Sequence, residues 1–176
     1  MDFSTSALLT PEELVLKMAD GKGRDVAGQF PEALVIAADT IVVLEQRVLG
    51  KPRDEKDAAE ILSSLSGRWH QVYTGLALYH QAKERTAAAV ETTKVHFREL
   101  SLKEIEFYIK SGEPMDKAGA YGIQGLGAVL VQGIEGCFFN VMGLPLFRLA
   151  CLLKDFGVDV LEVNAFVRSL HQESPL

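Results

Sequence analysis

The chain has 176 residues, the size of one domain, and its 48% hydrophobic and 24% charged residues exclude a disordered or fibrous protein. A formal charge of −6 argues against a nucleic-acid partner, which needs a basic face, but leaves a phosphate ligand possible where the few cations converge in one cleft. Two cysteines, Cys137 and Cys151, are too few for a disulfide framework or a cysteine zinc site, and no apolar run approaches the roughly 18 residues of a membrane span, so a cytoplasmic location is expected.

The first predicted element is a helix from Pro11 to about residue 27. Thr10 is its hydroxyl cap, Pro11 takes the first helical position, Glu13 completes a capping box, and Leu14, Val15, Met18 and Ala19 recur at helical spacing. Gly21 and Gly23 weaken its second half by about 1 kcal/mol each relative to alanine. Residues 34–38 read as a short strand buried on both faces, which Asp39-Thr40 interrupts and 41–44 resume. Asp54 caps a helix whose apolar face is Ala58, Ile61, Leu62 and Leu65, with Gly67 placed to end it.

Residues 72–79 and 87–97 read as two long strands separated by a polar stretch. Ser101 to Glu104 is a second capping box, opening a helix that Gly112 closes. The chain is then loop-like to Gly127. Residues 128–132 and 137–141 read as strands around a turn at 134–136. A last helix starts at Pro145, with Leu146, Leu149, Ala150 and Leu153 on its buried side; Cys151 reads as a small buried apolar residue. Strands interleaved with helices predict an α/β domain with a mixed central sheet flanked by helices and a nucleotide-binding cleft. It spans residues 1–157, with 158–176 as a C-terminal tail.

Asp39 is the most informative position. A carboxylate within an apolar strand is costly to bury unless a cation, a metal or hydrogen bonds compensate it. A structural aspartate capping a turn would explain it too, but strand ends in α/β sheets are where ligands sit. Thr40 adds a hydroxyl beside it. Lys51, in Gly50-Lys51-Pro52, places a cation after a β segment, although this is not a Walker A loop. Lys22 and Lys51, taken singly, read as surface charges. In 112–127, glycines let backbone N–H groups approach a ligand, while Asp116, Lys117 and Gln124 supply a carboxylate, a cation and an amide. A plain connector explains such a loop equally well when it is taken alone. The four histidines show no metal-ligand spacing, and there is no nucleophile elbow.

Ala38-Asp39-Thr40, Gly50-Lys51-Pro52, Leu65-Ser66-Gly67 with Tyr73-Thr74-Gly75, the 112–127 segment and 141–145 occur in one order with compact spacing. Together they resemble the Maf family of nucleotide pyrophosphatases over roughly residues 10–156. The resemblance implies an α/β fold with a cleft, a homodimer, and hydrolysis of a nucleoside triphosphate to monophosphate and pyrophosphate. It gives Asp39 the role of proton acceptor, Thr40 and Gln124 that of choosing the base, and Lys22 and Lys51 that of lining the phosphate site, where Lys117 would join them. Tyr121 to Gly125 is similar to the branch acting on dTTP and UTP. A divalent cation, Mg²⁺ by the hardness of its oxygen ligands, would neutralise charge, with Asp39 and Asp116 as candidate ligands.

The chain departs from the family in one respect. Family members begin with a strand and a Ser-x-Ser-Pro-Arg-Arg segment that binds phosphates, and no Ser-Pro-Arg-Arg occurs here. The expectation is a truncated chain that lacks the first strand and two phosphate-binding arginines. A second reading follows from that loss: a non-catalytic nucleotide-binding protein or a regulator of septum formation.

Overall fold

A computed structural model describes residues 9–163; the expectations for the first residues and for most of the tail lie outside the described residues. The first helix, α1 (Pro11–Gln29), opens on the capping box: Thr10 Oγ1 accepts from Glu13 N at 3.2 Å and Thr10 N donates to the Glu13 carboxylate at 2.8 Å. Strands β1 (Val35–Leu44) and β2 (Arg47–Leu49) form a hairpin, turned at Glu45 with positive φ. Helix α2 (Glu55–Leu65) leads to β3 (Trp69–His80), which pairs along its whole length with β4 (Arg85–Phe97). Helix α3 (Leu102–Lys110) is followed by a run of 3₁₀ turns, strand β5 (Val131–Glu135), the single-turn helix α4 (Phe138–Val141) and helix α5 (Leu146–Asp155).

The five strands form one sheet in the order β2-β1-β3-β4-β5. Helices flank this α/β sheet as expected, but every pairing among the described residues is antiparallel, where the sequence pattern suggests a mixed sheet. The reason lies in the lengths of the connections. The two residues between β1 and β2 and the four between β3 and β4 are too few for a parallel crossover, which needs about a dozen or more.

The strand register divides the side chains between two faces. Ile41, Val43 and Tyr73 share one face and pack on Val15 of α1. The approach is so close that a Cβ at Gly75 would lie 2.6 Å from Val15 O, and one at Gly23 would lie 2.6 Å from the Tyr79 ring. The glycine that weakens the helix in isolation is what lets it seat on the sheet. On the opposite face two separate clusters form. Val42, Val72, Val95 and Phe97 pack on α2 and α3, and Leu76 and Leu78 pack on Leu149 and Leu153 of α5. Thr40 and Thr74, directly paired across β1 and β3, lie between the two.

Four expectations are corrected. Asp39-Thr40 does not interrupt the strand; both residues stay in register, opposite Gly75 and Thr74. Full burial on both faces holds for 41–44 but not for 35–38, where Ile36 is exposed: it faces away from α1, on a stretch of β1 that β2 does not pair. Residues 137–141 form a helical turn because the Thr93 hydroxyl bonds both the N–H and the carbonyl of Cys137, holding the chain off the sheet line; only 131–135 of this region is strand. Cys151 is exposed, since α5 packs through Leu149 and Leu153 and a residue midway between them points about 200° away; Leu146 is exposed too. No helix among the described residues is long and apolar enough to cross a membrane.

Candidate active site

A cleft of about 420 Å³ opens where the two clusters on the α2–α5 face part. Thr40 and Val42 of β1 and Val72 of β3 form its floor, Lys51, Lys117 and Gln124 line one side, and Met142 and Gly143 line the other. Each lysine arrives by a definite local device. Gly119 N donates to Gly50 O at 3.0 Å, which ties the Lys51 loop to the glycine-rich segment. Gly119 itself has φ +70°, and a Cβ there would press on Val42 at 3.0 Å, so only glycine lets this turn lie on the sheet. The stem of Lys117 runs over Gly122, where a Cβ would meet Lys117 Cε at 2.9 Å.

Asp39 sits at the edge of this cleft with its side chain 12% exposed. Its Oδ1 accepts from Thr40 N at 2.9 Å. Its Oδ2 has Lys22 Nζ at 2.5 Å as an ion pair, without the angle of a hydrogen bond, and so keeps acceptor capacity. Lys22 reaches it from the exposed side of α1. Because Asp39 and Thr40 are consecutive in a strand, they leave the backbone on opposite sides; the carboxylate meets α1 while the hydroxyl faces the cleft floor. Asp116 does not line the cleft. It is exposed, and its carboxylate accepts from Lys117 Nζ at 2.8 Å, a contact that holds its pKa below the ordinary range.

The glycine-rich wall is fixed by Glu113. Its carboxylate accepts from Leu126 N, Gly127 N and the Tyr108 hydroxyl, each at 2.9 Å. Burial alone would push this carboxyl up; the two backbone N–H groups and the tyrosine hydroxyl together outweigh it, and its pKa lies below the ordinary value. That anchoring winds 125–130 into 3₁₀ turns where the sequence suggests the start of a strand. Beneath the wall, His70 Nε2 and the Tyr121 hydroxyl are 2.8 Å apart in the core; burial first, and His96 nearby, lower the His70 imidazole to about 4.

Below the floor runs a buried polar network that residue-by-residue reading of the sequence misses. Thr40 and Thr74 hydroxyls are 2.8 Å apart, Thr74 donates to Asn140 O at 3.1 Å, and the Asn140 amide donates to Val72 O at 3.1 Å and to Thr93 Oγ1 at 2.9 Å. Thr74, Thr93 and Asn140 have no solvent exposure. One signal was available: an asparagine inside the apolar run Phe138 to Val141 is a polar group that needs partners if buried.

Among the described residues no cluster of three or more His, Cys, Asp or Glu side chains could hold a metal ion. Asp39, with its free acceptor capacity on Oδ2, suits a divalent ion held by one carboxylate together with phosphate oxygens and water, the arrangement Mg²⁺ adopts at phosphate sites.

A family model described as Maf-like protein matches residues 2–156. A dTTP/UTP pyrophosphatase of Pelotomaculum thermopropionicum is 52% identical over 153 residues, covering 87% of this chain and 80% of the relative. One of Carboxydothermus hydrogenoformans is 52% identical over 149 residues, 85% of this chain and 80% of the relative. One of Acetivibrio thermocellus is 50% identical over 169 residues, 92% of this chain and 84% of the relative. With a family model matched over residues 2–156 and relatives at about half identity over most of both chains, the chain belongs to the Maf-like protein family.

Proposed function

We propose that this chain is a nucleoside triphosphate pyrophosphatase that hydrolyses dTTP and UTP to the monophosphate and pyrophosphate. Its relatives at about half identity carry the name dTTP/UTP pyrophosphatase. The observation in the fold that carries the reading is one carboxylate, Asp39, at the mouth of a cleft that Lys51 and Lys117 line, with Lys22 paired to that carboxylate from α1.

Cleavage of the α–β anhydride adds the oxygen of a water to phosphorus and releases pyrophosphate with the former bridging oxygen. The protein's task is to position the water and to stabilise spread negative charge. Lys51 and Lys117 bind phosphate oxygens. Asp39 orients the water and accepts its proton; Lys22 is paired to its Oδ2. A Mg²⁺ ion held by Asp39 would supply charge neutralisation. Asp116, bound to Lys117 away from the cleft, acts by orienting that lysine. Val141 and Met142, partly exposed in the cleft, give an apolar seat for a base, and Gln124 offers both donor and acceptor to its edge. A homodimer would bury the apolar residues exposed beside the cleft, Phe138, Phe139, Met142 and Phe147; sedimentation equilibrium decides it, a monomer at every concentration being the contrary result.

The test is pyrophosphate release from a panel of nucleoside triphosphates with Mg²⁺, for the chain and for Asp39→Asn. Release preferring dTTP and UTP, lowered by about 10² to 10⁴ in the variant, is expected. A folded protein that releases no pyrophosphate would sink the reading.

A further inference from the structure

The hydroxyl pair under the cleft has a definite proton order. Thr74 has no solvent exposure, and its Oγ1 stands 3.1 Å from the carbonyl oxygen of Asn140. The geometry is that of a hydrogen bond, and since a carbonyl has no proton to give, Thr74 is the donor. A hydroxyl has one proton. The 2.8 Å contact between Thr74 and Thr40 is therefore made with the proton of Thr40, and Thr40 offers only lone pairs to the cleft it lines.

The carbonyl that sets this order has little freedom to move. The Asn140 side chain is fastened to Val72 O and to Thr93, and its own carbonyl also accepts from Gly143 N at 2.9 Å. Thr40 stands between Val42 and Ala38 on the floor, close to Gly143, where the partly exposed Val141 and Met142 offer apolar surface to the flat face of a base, while Asp39 and Lys22 meet on the other side of the strand.

We infer that Thr74, anchored by Asn140, is a positioning residue that holds Thr40 as a hydrogen-bond acceptor towards the bound base, so that the cleft takes a ring N–H, as in uracil and thymine, in preference to the unprotonated ring nitrogen of cytosine. The inference rests on the pyrimidine reading above and deepens it. With cytosine, two lone pairs would face each other, and the site would leave both unpaired.

Binding of UMP, CMP and N3-methyl-UMP to the full chain, measured by titration calorimetry, tests it. The chain binds UMP at least about tenfold more tightly than either of the others. In Thr74→Val the hydroxyl of Thr40 is released and can donate to cytosine, so the preference for UMP over CMP falls to within about twofold, while Thr74→Ser retains it. A merely structural role would weaken all three ligands together. An unchanged preference in Thr74→Val overturns the proposal, as does N3-methyl-UMP binding like UMP or an absence of UMP binding. Should Thr74→Val fail to fold, the N3-methyl comparison with the unaltered chain decides. Pyrophosphate release from UTP, followed in parallel, separates the two readings. A preference that relaxes in Thr74→Val without any release overturns the enzyme reading alone; release with an unchanged preference overturns the proton order alone.

Discussion

The two faces of the sheet are covered in opposite ways. On one, α1 lies so near that Gly75 and Gly23 leave no room for a Cβ, and Val15 packs directly on Ile41, Val43 and Tyr73. On the other, α2 and α3 cover one end and α5 the other, and the gap between them is the cleft, floored by Thr40, Val42 and Val72. The difference shows what each face is for. Close apposition at Gly75 and Gly23 leaves no volume for a ligand there and supplies stability, whereas the parted cover exposes Thr40, which buried hydrogen bonds then hold in place.

The sharpest way to break the contrast is on the cleft face. Asn140→Asp sets a carboxylate where an amide donates to Val72 O and Thr93, with no cation beside it among the described residues. A loss of about 4 kcal/mol in chemical denaturation is expected. Next in size is the pH response of His70, whose folded-state value of about 4 lies below the ordinary 6.5. Between those values the unfolded chain takes up a proton that the native core refuses. The stability of the neutral imidazole is thus fully present above pH 6.5 and is lost as pH falls towards 4, by about 3 kcal/mol. Denaturation midpoints at pH 7 and pH 4.5 should differ less in His70→Gln than in the unaltered chain; an equal difference would show that other groups govern the fall.

On the closed face, Gly75→Ala puts a methyl group 2.6 Å from a backbone oxygen and should cost about 2 kcal/mol, seen as a lower Tm with pyrophosphate release per folded molecule little changed. The smallest effect is at the entry to that helix. Thr10→Ala removes one half of the capping box and should cost about 1 kcal/mol; no change in Tm would mean that the packing of Val15 and Ala19 alone holds α1.

Much of this was legible beforehand. The capping boxes at Thr10 and Ser101 and the apolar spacing of α2 are local signals, and local chemistry decides them. The order of the motifs placed Asp39, Thr40, Lys51, Lys117 and Gln124 as candidates, and the fold brings these five to one cleft, with Lys22 paired to Asp39 from α1. Asp116 looked equivalent to its neighbour in sequence. It differs because the 3₁₀ turn at 113–116 leaves it exposed, with Lys117 as its partner. The turn at 137–141 was misread because its apolar residues suit a strand, while its conformation is set by Thr93, more than forty residues away in the chain.

By itself, then, the sequence determined where α1, α2, α3 and α5 begin, the apolar face of α2, and the ordered residues that mark the family, since each depends on neighbours a few residues apart or on motif order. Only the tertiary structure decided the antiparallel sheet, the separation of Asp39 from Asp116, and the proton order running from Thr40 through Thr74 to Asn140. These depend on which groups meet across strands and on how many partners each buried hydroxyl finds, and neither is written in local spacing.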